Sequence, residues 1–518
     1  MVSSIQLGIG SHFTRIAVLT ILIVGISASH GFGLAASVTL SPNSGPPTTK
    51  TTASGSGFSS GETVAVTFDA ATLGSATADS AGNFTFVVTV SKAAQPGMHA
   101  VKATGRASGL AASAAFTVQT NWPSFKNSPA RTSVNGLENT INQGNAKFLA
   151  LAWQGQMGDL VDFSSPAVVN GVVYVGSFDG KLYAFNANGC APQTLCQPLW
   201  SGATGNDITS SPAVANGIVY IGSADHKLYA FPAKGCRSSS CAPLWTGTTA
   251  SGILESSPLV VNGVVYVGSF DKKLYAFAAT GCGHSSCSPL WTASTGGQIT
   301  SSPAFANGVI YIGSQDGKLY AFTAAGCGAS TCSPLWTAQA GSSIMQSSPA
   351  IANGVVYVGS FDKDLYAFNA AGCGQSTCQP LWTGTTGPFI SSSPAVANGV
   401  VYVGDGDSLF YAFNASGCGS ATCTALWTGQ AIGEQAAITS APAVADGLVY
   451  VSENNGMVMV FNVNGCGTSF CFPVTQLLTN NEQIVSSSPA VVNGSVYFGS
   501  ADQNQAPIGR LYVYKLRN

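Results

Sequence analysis

The chain has 518 residues, of which 8% are charged (19 basic and 21 acidic), 45% hydrophobic and 10% aromatic, with 61 Gly and 14 Cys. A soluble domain ordinarily carries about 25% charged residues, and a net charge of −2 without clustered Lys and Arg argues against nucleic acid as a partner. The apolar content is enough for a large core and argues against disorder, and five His, two of them before residue 31, leave little room for histidine-based metal or general-base chemistry.

The chain opens on an export signal. Arg15 precedes an apolar stretch from Ile16 to Ile26, and small residues follow at spacings that suit signal peptidase (Ser27/Ser29 or Gly33/Ala35). This is the layout of a secretory signal peptide over residues 1–35, with an uncleaved anchor as the alternative. The first Cys is Cys190, so a lipid-modified N-terminus is not supported. Mean hydropathy is +0.26, yet no apolar run after residue 30 reaches the roughly 18 residues of a spanning helix.

Residues 37–118 hold no Cys and no Trp. Alternating runs such as Val64–Phe68 and Phe84–Val88, punctuated by Gly, Asn, Ser and Pro, read as six or seven half-buried strands. That suits a small immunoglobulin-like sandwich. The stretch Ser54–Phe68, SGSGFSSGETVAVTF, resembles the G-x-G-F-x-x-G-E-x-V segment of bacterial Ig-like and IPT-type domains. Gly55, Gly57 and Gly61 fit neither G-x-G-x-x-G nor a P-loop, and are read as turn glycines.

From residue 160 one unit is written eight times, marked by Pro166, Pro212, Pro258, Pro303, Pro349, Pro394, Pro442 and Pro489 at intervals of 45–48 residues. That period signals a propeller or solenoid. In the first copy the unit reads S-P-A-V-V, an Asn170-Gly171 turn, V-V-Y-V-G-S, a turn holding Asp179, K-L-Y-A-F, and then P-L-W. Asn-Gly tolerates positive φ at both central positions of a tight hairpin. Four antiparallel strands per unit make a propeller blade, and the absence of a 3.6-residue period excludes a helical solenoid. The eighth copy runs to Tyr514 without a fourth strand, and an orphan fourth strand stands before the first copy at Phe148–Trp153. The fold expected is therefore an eight-bladed β-propeller over 121–518, closed by its own N-terminal strand, with seven blades and one aberrant unit as the alternative. Trp153, Trp200, Trp245, Trp291, Trp336, Trp382 and Trp427 share one position, which the seventh unit fills with Thr475.

S-P-A, V-Y-V-G, K-L-Y-A-F-N and the late Trp resemble the PQQ-like repeat shared by quinoprotein dehydrogenases and the outer-membrane assembly propeller. In that family the signature is A-x-D-x-x-T-G-x-x-x-W, with the Trp packed between blades. Ala184, Gly189 and Trp200 match, Asn186 replaces the Asp, and Trp200 follows Gly189 by eleven residues instead of four. The resemblance implies blade-packing tryptophans, and a seventh interface weakened by Thr475.

The insertion holds the cysteines. All 14 fall into local pairs: Cys190/Cys196, Cys236/Cys241, Cys282/Cys287, Cys327/Cys332, Cys373/Cys378, Cys418/Cys423 and Cys466/Cys471. An export signal and an even count make disulfides the natural reading. Each would close a loop of about six residues, contribute about 2 kcal/mol, and harden an exposed loop tip. Two thiols per unit do not make a tetrahedral zinc site, so no metal is expected.

The family resemblance implies one further possibility, pyrroloquinoline quinone and Ca²⁺ on the ring axis with a Trp beneath the quinone and a catalytic Asp. The chain has no adjacent Cys-Cys, its propeller tryptophans sit at the outer position, and Asp405/Asp407 fall short of the roughly six to eight oxygens Ca²⁺ takes. The residues three before each marker Pro are expected at the channel entry: Phe163, Thr209, Glu255, Thr300, Gln346, Ser391, Thr439 and Ser486. Asp162, Glu255, Thr300 and Gln346 are the channel-mouth candidates, and Glu434, Glu453 and Glu482 also depart from the repeat. No catalytic residue and no cofactor are expected. The function read from the sequence is an exported, non-enzymatic binding or scaffold protein, secreted or at the cell surface or periplasm, with an extracellular protein or glycan as partner. The alternative is a quinone- and calcium-dependent alcohol or sugar dehydrogenase.

Overall fold

The computed structural model describes residues 35–433, 435–479, 482–484, 486–502 and 508–517. The export signal, apart from Ala35, lies outside them, as does Glu434.

The N-terminal unit is a pair of sheets. Ser37–Ser41, Lys50–Ser56 and Phe84–Thr89 form one; Ser44–Gly45, Ala111–Val118, Gly97–Gly105, Thr63–Phe68 and Ala71–Thr77 form the other in that order. Strict alternation buries Thr51, Ala53 and Gly55 along Lys50–Ser56, and Val64, Val66, Phe84, Val88, Val101 and Phe116 fill the space between the sheets. Gly55 is required because a Cβ there would stand 2.0 Å from the Phe84 ring. Glu62 is spent locally: its carboxylate accepts the Ser59, Ala107 and Ser108 N–H groups and the Ser108 hydroxyl.

Eight sheets follow, one per repeat. In the first, Ala167–Val169, Val172–Ser177, Lys181–Asn186 and Trp200–Ala203 pair antiparallel in that order. Asn170 and Gly171 both take positive φ, 51° and 77°, as the hairpin requires. The second and third strands are buried on successive residues rather than alternately, because a neighbouring unit packs on each face. The apolar core is accordingly a series of slabs. One joins Tyr174, Leu182 and Trp200 of the first unit to Ile221, Tyr229 and Phe231 of the second. The largest spans the seventh, eighth and first units.

Closure runs through both ends of the repeat region. Leu149–Gln156 pairs antiparallel with Ile508–Leu516, placing Gln154 opposite Tyr512 and Trp153 opposite Val513. The Tyr497 hydroxyl of the eighth unit donates to the Ala187 carbonyl of the first at 3.3 Å.

Each sheet has five strands rather than the expected four. All seven cysteine pairs are disulfides. Each loop does more than harden its own tip: its second half lies parallel on the outer edge of the preceding unit. Ser240-Cys241 pairs with Ser201-Gly202, and Thr422-Cys423 with Thr383-Gly384. The loop glycine rests on the neighbour's tryptophan, so that a Cβ at Gly235 would stand 2.6 Å from Trp200 Cδ1. Trp200 in turn lies between Tyr174 and Phe231, ring centroids 6.1 and 6.4 Å away.

The expectation that both cysteines of each pair sit on an exposed loop tip is corrected for the second of every pair. Cys236, Cys282, Cys327, Cys373, Cys418 and Cys466 are exposed and Cys190 is half-buried. Cys196, Cys241, Cys287, Cys332, Cys378, Cys423 and Cys471 are instead buried, at 2–6% exposure. The physical reason is the parallel pairing, which turns the second sulfur into the apolar slab beneath the preceding unit's tryptophan. Cys196 shares its cluster with Trp153, Cys287 with Trp245, Cys332 with Trp291, Cys378 with Trp336, and Cys471 with Trp427. Half of each disulfide is therefore core, and behaves as a small apolar group at the seam between units.

Candidate functional site

The inner strands begin at the repeated Ser-Ser-Pro. The first serine accepts a backbone N–H of its own unit's second strand, as Ser164 Oγ does from Gly176 at 2.9 Å. The second serine links units. The Ser165 N–H donates to Ser211 Oγ, and the pattern continues through Ser257, Ser302, Ser348 and Ser393 at 2.8–3.0 Å. It resumes from the Ala441 N–H to Ser488 Oγ and returns from the Ser488 N–H to Ser165 Oγ. The one interruption follows Ser393, where Ala441 supplies no hydroxyl.

Above this belt the channel-entry register divides in two. Phe163, Glu255, Gln346 and Ser486 have φ of 61°, 66°, 66° and 56°, and with Thr439 they line the cavity on the axis. Thr209, Thr300 and Ser391 are buried in the wall. The expectation that Thr300 faces the channel mouth is therefore corrected. Its hydroxyl accepts the Gln346 N–H at 3.1 Å, as Thr209 accepts the Glu255 N–H at 3.0 Å. One residue of each pair turns inward and the preceding unit's threonine holds its backbone there.

Glu255 and Gln346 meet at this mouth, and Asp162, buried outside the cavity lining, is close enough to feel the charge of Glu255. Glu255 is hydrogen-bonded to the Gln346 amide, yet its Oε2 is buried without a partner, and so is Asp162 Oδ1. Burial pushes the Glu255 carboxyl up to about 7, against the downward pull of Gln346. Burial first, then the charge of Glu255, pushes Asp162 up to about 7 as well. Each is a carboxyl that the protein solvates poorly at neutral pH.

The floor of the channel is a segment that the repeat pattern does not announce. Residues 122–135 pass once around the inner edges. Trp122 pairs with Val168 of the first unit, and the Pro123 carbonyl accepts the Val214 N–H of the second. The Pro129, Ala130, Thr132 and Ser133 carbonyls accept the N–H groups of Phe305, Ile351, Val396 and Val444 in the fourth to seventh units at 2.8–3.0 Å. The Asn135 amide donates to the Val491 carbonyl of the eighth at 3.0 Å.

Two cations of this segment are sealed inside. Lys126 and Arg131 are 1% and 0% exposed. The Arg131 guanidinium donates to the Pro303, Ser257, Pro258 and Phe125 carbonyls, and burial lowers it to about 9. Lys126 donates to the Ser348 carbonyl at 3.2 Å, and burial, followed by the charge of Arg131, holds it well below the usual lysine range. Between Phe125 and the mouth residues remains a cavity of about 30 Å³.

The other sequence candidates are structural. Asp405 is buried, and its oxygens accept the Asp407, Leu409 and Gly387 N–H groups. Glu453 accepts the Ala436 N–H, and Glu482 pairs with Arg510 at 2.9 Å. The repeated turn aspartates accept tyrosine hydroxyls, Asp179 from Tyr183 and Asp316 from Tyr320 at 2.5 and 2.6 Å. Among the described residues no three His, Cys, Asp or Glu group to hold a metal ion, and no helix is long and apolar enough to cross a membrane.

Residues 285–518 match the family model described as outer membrane protein assembly factor BamB. No curated protein matches in sequence. Among solved structures, BamB from Moraxella catarrhalis is similar at 17% identity and a TM-score of 0.53, over 71% of this chain and 98% of that one. The quinohemoprotein alcohol dehydrogenase from Comamonas testosteroni is similar at 13% identity and a TM-score of 0.59, over 76% and 80%. The computationally designed Ika8 protein is similar at 14% identity and a TM-score of 0.52, over 70% and 99%. At these identities the likeness carries the fold alone: this is an all-β chain of PQQ-like repeats whose structural neighbours are propeller proteins.

Proposed function

We propose that the chain is an exported, non-enzymatic binding scaffold. In this reading a signal peptide is followed by an Ig-like sandwich and an eight-bladed propeller closed by Leu149–Gln156, and the rim and loops bind an extracellular protein or glycan. The observation that carries it is the blocked axis. Residues 122–135 floor the channel, and about 30 Å³ is left above Phe125, room for one or two waters. Small-molecule and cofactor sites take roughly 300–1,000 Å³, so a tricyclic quinone does not fit among these residues. The seven tryptophans of the repeat are on the fourth strands of their sheets, and the eighth, Trp122, is buried in the core where it pairs with Val168.

The test is cofactor uptake. Purified protein incubated with pyrroloquinoline quinone and Ca²⁺, then dialysed, is expected to retain no quinone absorbance and to show no dye-linked alcohol or sugar oxidation. A stoichiometric bound chromophore with turnover would replace this reading by the dehydrogenase alternative. The match over 285–518 favours one specific form of the scaffold reading, a helper in outer-membrane protein assembly.

A further inference from the structure

Seven of the eight outer edges are covered in one way. The residue after the tryptophan donates its N–H to a carbonyl of the next unit's disulfide loop: Thr428 to Ser469 at 2.9 Å, Thr383 to Ala421 at 2.8 Å, and, at the closure, Gln154 to Thr194 at 2.7 Å. A two-residue parallel pairing follows in each. The exception is Thr475–Leu478 of the seventh unit, where the sheet ends among the described residues. The eighth unit takes its fourth strand from Leu149–Gln156 and so has no disulfide loop to lay there. Two side-chain contacts of the other interfaces are missing with it, although the apolar slab continues into the eighth unit and the Tyr514 hydroxyl donates to the Leu478 carbonyl. Thr475 stands in the tryptophan position, and the buried Tyr450 hydroxyl has no partner, whereas its counterpart Tyr402 donates to the Val463 carbonyl at 2.9 Å.

The open edge is short, four residues, but carries neither of the side-chain devices that keep edges from pairing. Thr475-Gln476-Leu477-Leu478 has no charge and no proline. Its surroundings are apolar where the other units are not. Phe472 and Leu478 are exposed, at positions filled elsewhere only by Gln, Ala, Ser or Thr. Phe470 packs edge-on against Phe472, centroids 5.6 Å apart, and the carbonyl of the exposed Ile432 accepts from the Gln476 side-chain amide at 3.3 Å.

We propose that the outer edge of Thr475–Leu478 is a docking site for an extended, uncharged segment of another polypeptide, added as a parallel strand with apolar side chains against Phe472 and Leu478. The seven covered edges identify the occupant: each shows a short parallel strand on this same register. A second copy of the chain fits poorly, because its seven disulfide loops are already seated on its own edges and a two-fold pairing of Thr475–Leu478 with itself would be antiparallel. Strand addition draws affinity from main-chain hydrogen bonds and specificity from the flanking side chains. The proposal deepens the scaffold reading and rests on it.

Amide exchange on the full chain tests it, with an oxidised synthetic peptide of residues 414–427 as the probe. In the free protein the Gln476 N–H is expected to exchange far faster than the Thr428 N–H. Peptide at ten times its Kd should slow Gln476 about tenfold. Gln476→Pro, which removes the outward donor at an edge position, should abolish binding of the peptide, read by titration calorimetry, and Gln476→Ala should keep it. Leu478→Lys leaves the backbone intact and should weaken the peptide about tenfold. Equal protection of Gln476 and Thr428 in the free protein, peptide binding indifferent to both Gln476→Pro and Leu478→Lys, or no slowing at all would overturn the proposal. A concentration-dependent dimer lost in Gln476→Pro would assign the edge to a second copy, against the proposal. Quinone uptake reads the scaffold reading separately, so a silent edge with no bound chromophore sinks only the docking site.

Discussion

Glu255 combines three unfavourable features: a left-handed backbone, φ 66°, a buried carboxylate oxygen without a partner, and Asp162 as a nearby acid. Such strain persists only where the surroundings over-determine it, and here the Thr209 hydroxyl fixes the Glu255 N–H. The energetic consequence has a definite sign. Both carboxyls are raised to about 7, from 4.5 for Glu255 and 3.8 for Asp162. Between about pH 4 and 7 the folded state therefore binds more protons than the unfolded chain, and stability falls as pH rises through that window. Lys126, lowered by burial, acts oppositely above its folded value, so the clean measure is a difference. Glu255→Gln is expected to raise the urea midpoint at pH 8 more than at pH 5. Its size is about 1.36 kcal/mol for each unit of the shift it abolishes. Equal effects at the two pH values would show that this carboxyl costs the fold nothing.

At the level of elements, the disulfide loops are staples between units. In the double variant Cys373→Ser/Cys378→Ser, the loop of the fifth unit loses its closure, worth about 2 kcal/mol by the chain-entropy model. It also places a hydroxyl where the buried Cys378 sulfur packs in the cluster of Trp336. The response is expected one unit away. Thr377 pairs with Thr337 of the fourth unit, so the Thr337 N–H should exchange faster while Thr428 stays protected. A change confined to residues 373–378 would mean that the loop closes only on itself. The four strands of each unit were legible because Asn-Gly turns and alternating apolar runs are written locally. The fifth strand was not, because a two-residue parallel pairing between units leaves no period in either. The burial of Cys196, Cys287, Cys332, Cys378 and Cys471 was hidden for the same reason, since the surface that covers each belongs to another unit. The mouth was half legible: Glu255 and Gln346 stood out against hydroxyl residues, but Thr300 and Thr439 are the same residue and differ only in whether they face the cavity.

The whole molecule depends on a segment with no repeat at all. In NWPSFKNSPARTSVN, residues 121–135, the visible signal was two basic residues in a chain with only 19. Nothing in the spacing said that they would be buried, because their partners are carbonyls contributed by units far along the chain: Pro258, Pro303 and Ser348. A buried cation held by carbonyls alone is costly to desolvate and still costlier to remove, since several acceptors lose their donor together. Arg131→Ala should therefore destabilise by about 3 kcal/mol or more, read as a lower urea midpoint. The same logic ranks two truncations. A chain beginning at residue 119 keeps the central segment and the closing strand Leu149–Gln156, and is expected to unfold at nearly the midpoint of the full chain's repeat region. A chain beginning at 145 keeps the closing strand but leaves the inner N–H groups of Val214, Phe305, Ile351, Val396 and Val444 without their acceptors. Each unsatisfied buried group costs about 1–3 kcal/mol, and five together are as large as the whole marginal stability of most domains, about 5–15 kcal/mol. The shorter chain should then be unfolded or aggregated at neutral pH. If it unfolds at the same midpoint as the longer one, the inner edges hold the ring without a hub, and the blocked axis loses its structural reason.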